Sequence, residues 1–208
     1  MAALHVVDHP LLARELTVLR DAATGLEAFR TALAEAAAML AYEALRETAV
    51  ATVTVRTPLE ETVGTALGRP VMVVAVLRAG LGMVDGFLRL VPGAAVAHLG
   101  MRRNEETLQP ESYYESLPAG VPAATVFVVD PMLATGGSAL AALHRMQAAG
   151  ATDLRLVCLV AAPEGVAAIQ EAFPEVPITV GALDRELDDR GYIRPGLGDA
   201  GDRIFGTE

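Results

Sequence analysis

The run Val71–Leu77, VMVVAVL, carries no polar residue at any position. A strand points successive side chains to opposite faces, so a strand that is apolar throughout has no face to offer to water. Helices must cover it on both sides, and that arrangement belongs to mostly parallel sheets built from strand–helix–strand units. The rest of the chain alternates to match. Strands are expected at Ala51–Arg56, Ala94–Leu99, Thr125–Val129, Leu154–Ala161 and Ile178–Ala182. Leucine, alanine and charge recur at helical spacing from Leu11 to Arg20 and from Leu26 to Arg46, around a break at Thr24-Gly25. Further helices are expected at Gly80–Leu90, Gly137–Ala149 and Glu164–Phe173. Another is expected after Thr57-Pro58-Leu59-Glu60, which has the form of a capping box with proline at the first helical position, running to about Leu67 before Gly68. With 208 residues, no internal repeat and no break in composition, the chain reads as one α/β domain with a mostly parallel twisted sheet flanked by helices. A chain of that length needs neither disulfides nor metal to hold its core.

Composition removes whole classes of chemistry. All sixteen Lys+Arg residues are arginine. Without lysine there is no Schiff base, no lysine-anchored pyridoxal phosphate and no Walker lysine. Any fixed positive charge aimed at a phosphate must be arginine, a helix N-terminus or a bound metal. A net charge of −10 and a pI near 4.9 argue against nucleic acid or anionic lipid as partners. The single cysteine, Cys158, lies in an apolar run and reads as a small core residue, in keeping with a reducing compartment. Residues 1–10 lack the basic and apolar blocks of a secretory signal, and no apolar run reaches the ~18 residues of a membrane span. An intracellular, cytoplasmic protein is expected.

The chemistry concentrates in Val126–Leu143, VFVVDPMLATGGSALAAL. An aspartate ends a buried strand, a loop of small and hydroxyl residues follows, and a helix begins. Ligands of open parallel sheets sit at the carboxyl ends of strands, where Asp130 falls. In Ala134-Thr135-Gly136-Gly137-Ser138 the glycines let backbone N–H groups converge, two hydroxyls add donors and the helix dipole stands behind them. This is a cradle for a phosphate monoester. A carboxylate at Asp130 would repel that phosphate, so its partner is a sugar hydroxyl nearby. Leu77-Arg78-Ala79-Gly80-Leu81-Gly82 repeats the strand–turn–helix pattern with an arginine before the turn. Arg102-Arg103 lie in a long polar stretch between Gly100 and Pro122, which reads as a functional flap or hairpin arm. Beside Glu105 and Glu106 they also fit a solvated charge cluster.

Other patterns carry less. Gly196-Leu197-Gly198-Asp199-Ala200-Gly201 has dinucleotide-fingerprint spacing, but too few residues follow it for a helix, a strand and an acidic ribose ligand. Gly80, Gly82 and Gly86 fit a looser variant whose next strand ends without Asp or Glu. His5, His9, His98 and His144 lack metal-ligand spacing and read as structural. No nucleophile elbow or Cys/His pair suggests covalent hydrolysis.

Asp130–Ser138, DPMLATGGS, resembles the phosphoribosyl diphosphate motif of the type I phosphoribosyltransferases, in the wording of the uracil phosphoribosyltransferase family. VLRAGLGM (Val76–Met83), GMRRNEET (Gly100–Thr107) and GYIRPGLGDAGDRIFGT (Gly191–Thr207) are similar to that family's other signatures, in the same order, and His9-Pro10 agrees. The resemblance implies the type I phosphoribosyltransferase fold, with a flexible hairpin-like flap (101–122) and a C-terminal base-binding hood (183–208). It implies transfer of a 5-phosphoribosyl group from phosphoribosyl diphosphate to N1 of uracil, giving UMP and pyrophosphate, through a transition state of oxocarbenium character without a covalent intermediate. Arg78 and Arg103 would meet the diphosphate. Asp130, Pro131, Met132, Leu133, Ala134, Thr135, Gly136, Gly137 and Ser138 would hold the ribose and 5′-phosphate, with Asp199 also on phosphoribosyl diphosphate. Ile193, Gly198, Asp199 and Ala200 would read uracil. No nucleophile is implied; Arg103 and Asp130 are the residues expected to matter most to catalysis. Mg²⁺ would arrive on phosphoribosyl diphosphate rather than in a protein cage. A homo-oligomer and GTP as an activator are further implications. Arg194 stands where an aliphatic residue is expected.

Two alternatives stay open from the residues alone: the same fold acting on another base, such as a purine or orotate, and a non-catalytic regulator that senses nucleotides. The tail decides between bases, because the phosphate cradle is common to all of them. Acidity and only 4% aromatic residues oppose an RNA reader.

Overall fold

The computed structural model describes residues 3–103 and 110–207. In chain order the elements are β1 (Leu4–Val6), α1 (Pro10–Arg20), α2 (Leu26–Ala44), β2 (Val50–Arg56), β3 (Glu61–Leu67), β4 (Val71–Leu77), α3 (Leu81–Leu90) and β5 (Ala95–Arg103). They continue with β6 (Pro110–Ser116), β7 (Thr125–Leu133), α4 (Gly137–Ala148), β8 (Asp153–Ala161), α5 (Pro163–Ala172), β9 (Ile178–Leu183), β10 (Glu186–Leu187), β11 (Ile193–Arg194) and α6 (Ala200–Phe205).

A seven-stranded sheet runs β1-β9-β8-β7-β4-β5-β6, and every neighbouring pair in it is parallel except β5–β6. The alternation expected of β4 is explicit in the packing. Val71, Val73 and Ala75 join Phe127 and Val129 under α1, α2 and α3, whereas Met72, Val74 and Val76 join Val126 and Val128 under α4 and α5. Cys158 is fully buried in β8 among the second set, as a core residue. Among the described residues no helix is long and apolar enough to cross a membrane.

Three expectations need correction. Residues 61–67 form a strand, not a helix, and pair antiparallel with β2 from Val50↔Leu67 to Arg56↔Glu61. The Thr57 hydroxyl accepts from the N–H groups of Leu59 and Glu60 and donates to the Glu60 carbonyl, so the bonds of a helix cap here close a hairpin turn. The β-branched content of ETVGTAL then favours the extended chain. Second, β7 does not end at Val129; it runs through Asp130 and on to Leu133. Third, β5 continues past Leu99 to Arg103 and pairs with β6, so the polar excursion begins as an antiparallel hairpin. In the tail the short helix α6 starts within the fingerprint-like spacing, capped by the Asp199 side chain, which accepts the Asp202 N–H at 3.0 Å. Residues 104–109 of the flap lie outside the described residues.

Candidate active site

Topology creates the site. From β4 the chain turns to β5 on one side, and it later returns through β7 on the other, continuing to β8 and β9. The crevice above the carboxyl ends of β4 and β7 is therefore the switch point at which open α/β sheets bind ligands. The two glycine-containing loops singled out in the sequence both emerge there. At Gly80 a Cβ would lie 2.6 Å from both the Val129 and the Val76 carbonyl oxygens, so only glycine lets the loop after β4 close down over β7. In the loop after β7, Gly136 takes φ +85° at the head of α4, with no side chain capping the helix. In the first turn of α4 the Gly137 N–H donates weakly to the Thr135 hydroxyl at 3.5 Å, and the helix dipole stands behind this turn.

The cavity between these loops has a volume of about 260 Å³. Ala79 contributes from the first loop, Asp130, Met132 and Ala134 from β7 and the second, and Gly191–Ile193 and Gly198–Gly201 from the tail. The strand alternation of β7 decides which motif residues reach it: Asp130 and Met132 face the cavity, whereas Pro131 and Leu133 are buried. Thr135 lies beside Gly191 of the cavity wall, about 4.0 Å from where a Cβ of that glycine would stand. Gly137 and Ser138, half-buried, begin α4. Ile193, Gly198, Asp199 and Ala200 all line the cavity, so the residues expected to meet a base face those expected to meet a ribose.

Asp130 is half-buried, and its carboxylate accepts from the Met132 N–H at 3.2 Å. Burial pushes its carboxyl up to about 7, against the opposing effect of that hydrogen bond. Cys158 pairs with it across β7–β8, and burial together with the charge of Asp130 holds the thiol well above its ordinary value. Arg78 is more than half exposed and turns toward the tail, donating to Asp202 at 3.4 Å with its guanidinium 6.0 Å from the Phe205 ring. The backbone of Arg103 ends β5 opposite Pro110; its side chain lies outside the described residues. Arg194 does not disturb the cavity. It points outward to Asp188 at 2.8 Å, while its neighbour Ile193 points inward. The Asp188 carboxyl is held low by the Tyr192 N–H first, and then by Arg194 and the Arg190 N–H.

The histidines have structural neighbours. His9 Nδ1 caps α1 through the Leu11 N–H, and His144 packs on Phe173 with ring centroids 4.7 Å apart. Among the described residues no group of three His, Cys, Asp or Glu side chains is placed to hold a metal ion. Sequence reasoning missed Arg20, Asp184 and Arg203, which hold the tail from behind; their partners are up to 184 residues away along the chain, and no local pattern announces them.

A mostly parallel sheet with two glycine turns at its switch point places the chain among α/β proteins of the phosphoribosyltransferase fold. The same architecture is found in a hypoxanthine-guanine phosphoribosyltransferase from Bacillus anthracis (TM-score 0.53, 14% identity, 76% of this chain and 80% of that one), a likeness of fold alone. Closer relatives narrow the assignment. The family model described as uracil phosphoribosyltransferase matches residues 6–207. A uracil phosphoribosyltransferase from Salinibacter ruber is 56% identical over 97% of this chain and 96% of its own length, and one from Listeria innocua is 51% identical over the full length of both. The solved AQ2163 protein from Aquifex aeolicus superimposes with a TM-score of 0.93 at 40% identity, over 99% of each chain. The chain belongs to the uracil phosphoribosyltransferase family.

Proposed function

We propose that this chain transfers the 5-phosphoribosyl group of phosphoribosyl diphosphate to N1 of uracil, forming UMP and releasing pyrophosphate. The observation that carries the reading is the single cavity into which the loop after β4, the end of β7 and the glycine-rich tail all open. In this reading the backbone N–H groups and hydroxyls of Thr135–Ser138 hold the 5′-phosphate, and Asp130 meets the ribose hydroxyls. Arg78 and Arg103 face the diphosphate, and Asp199 serves phosphoribosyl diphosphate from the tail side. Ile193 and Gly198–Ala200 receive the uracil edge.

Breaking the C1–diphosphate bond as the C1–N1 bond forms leaves positive character on the ribose, so no side-chain nucleophile is needed. The chain's part is to fix both reactants in line and to neutralise the charge that develops on the leaving group. The carboxylates of Asp130 and Asp199 give the cavity hard oxygen donors, which suits a Mg²⁺ ion that keeps most of its waters and arrives on the substrate. When bound, such an ion supplies further charge neutralisation for pyrophosphate. Closure of the flap would exclude water from the activated sugar. A homo-oligomer belongs to the same reading, supported by the β2–β3 hairpin, which leaves Val50 66%, Val63 72% and Leu67 46% exposed.

The test is to incubate the protein with labelled uracil, phosphoribosyl diphosphate and Mg²⁺, in parallel with cytosine, orotate and hypoxanthine, with and without GTP. UMP from uracil alone is expected, faster with GTP if it is an activator. No nucleotide from any base, or preferential product from one of the other three, would overturn the assignment.

A further inference from the structure

The base end of the cavity is built largely from main chain, at Gly191–Ile193 and Gly198–Gly201. Backbone donors and acceptors can select one base only if the loop that carries them is held in place. The residues just before Gly198 are held by one buried charge pair. Arg20, at the C-terminal end of α1, donates from Nη1 and Nη2 to the two carboxylate oxygens of Asp184 at 2.9 and 2.5 Å. The Asp184 carboxylate also accepts the Gly196 N–H at 2.9 Å, and Arg20 Nη1 also donates to the Gly196 carbonyl at 2.8 Å. Both polar groups of one peptide residue are thus taken by the two members of the pair, whose side chains are 25% and 5% exposed. Arg203 holds the carbonyl of the next residue. Its Nη1 donates to the Leu197 carbonyl at 2.8 Å and to the Leu19 carbonyl, its Nη2 reaches the Asp21 carbonyl at 2.7 Å, and its guanidinium lies 4.3 Å from the Phe29 ring centroid.

None of these three side chains lines the cavity, yet together they tie residues 196 and 197 to the end of α1. We infer that Arg20 and Asp184, seconded by Arg203, are positioning residues for base recognition: they fix the loop whose next three residues present backbone groups to uracil. This rests on the reading of Ile193 and Gly198–Ala200 as the base subsite. An arginine fork is required, because it must satisfy a bidentate carboxylate and a carbonyl at once; lysine carries the charge without that geometry. Hydrogen-bond recognition is lost over displacements of about 1 Å, so loosening the loop weakens selection of the base before it damages the fold. The phosphate cradle is carried by β7 and α4 and shares none of these bonds.

The experiment compares the wild-type protein with Arg20→Lys and Asp184→Asn. It measures KM for uracil, KM for phosphoribosyl diphosphate, kcat and the thermal midpoint, with amide hydrogen exchange in the segments 191–205 and 126–143. The conservative variants keep a charge or an acceptor and perturb the pair from opposite sides, so a failure of one to fold leaves the other. In a folded variant the uracil KM is expected to rise about tenfold or more, and the phosphoribosyl diphosphate KM, which draws on this loop through Asp199 alone, by clearly less, the mark of a binding determinant lost mainly for one substrate. Exchange should quicken in 191–205 only. Unchanged uracil KM, or both KM values and both segments moving together, overturns the inference, and so does collapse of both variants, which would make the pair a fold requirement. A wild-type protein that makes no UMP sinks the functional reading first, and the inference with it.

Discussion

Asp130 is the residue on which the phosphoribosyl reading presses hardest. Its carboxyl stands at about 7 because desolvation outweighs the hydrogen bond it accepts from the Met132 N–H. An acid whose value is raised on folding holds, between its ordinary value of about 3.9 and the raised one, a proton that the unfolded chain has released. Stability therefore falls as the pH climbs from about 4 to about 7, and the loss is complete above that window. Asparagine cannot ionise, so Asp130→Asn should gain thermal stability over the wild type progressively across this range while weakening phosphoribosyl diphosphate binding and lowering turnover. Melting curves taken through the window check the first part, and a difference that stays flat with pH contradicts it. Gly80→Ala makes a different prediction. The added methyl meets two strand carbonyls at 2.6 Å, so the loop must move, at a cost of about 1–3 kcal/mol in a denaturant titration; a neutral outcome would mean that the loop does not sit down on β7. Much of this was legible beforehand, because Asp130 and the small residues after it are contiguous in sequence. That Pro131 and Leu133 turn away from the cavity was not, since nothing local to the sequence shows that β7 continues past Asp130 to Leu133.

At the scale of elements, the sheet could be read because β4 and the stretches Val126–Val129 of β7 and Leu156–Ala161 of β8 are apolar on both faces, which points to a covered parallel arrangement. The β2–β3 hairpin could not. A threonine followed three residues later by glutamate makes the same hydroxyl bonds at a helix start and in a tight turn, and only what the segment pairs with decides between them. Two strands alone are marginal in water, and exposed valines on this one leave it short of partners. If the hairpin is where copies meet, Val63→Glu should shift sedimentation toward a smaller species without altering the far-UV circular dichroism; an unchanged sedimentation coefficient argues that the hairpin is not the contact. The Arg145–Glu115 pair, at 2.5 Å, ties β6 to α4 and holds the Glu115 carboxyl below its usual range. Both side chains are partly solvated, so Arg145→Ala should cost no more than about 1 kcal/mol by thermal denaturation, and a larger loss would give the arm a structural weight its exposure does not suggest.

Across the whole molecule, a chain of net charge −10 without a lysine gathers, at the carboxyl ends of its central strands, two glycine turns at the switch point and a tail held over them from behind by arginines. The long-range part of that design was hidden from the sequence, since Arg20 and Asp184 are separated by 164 residues. The central claim is that one activated sugar and one base share the cavity these pieces enclose. A crystal structure of the protein with UMP tests it most directly. The account predicts the 5′-phosphate on the N–H groups of Thr135–Ser138, the ribose hydroxyls at Asp130 and the uracil ring against Ile193 and Gly198–Ala200; a nucleotide bound with its phosphate away from the head of α4, or its base outside the tail segment, would contradict it.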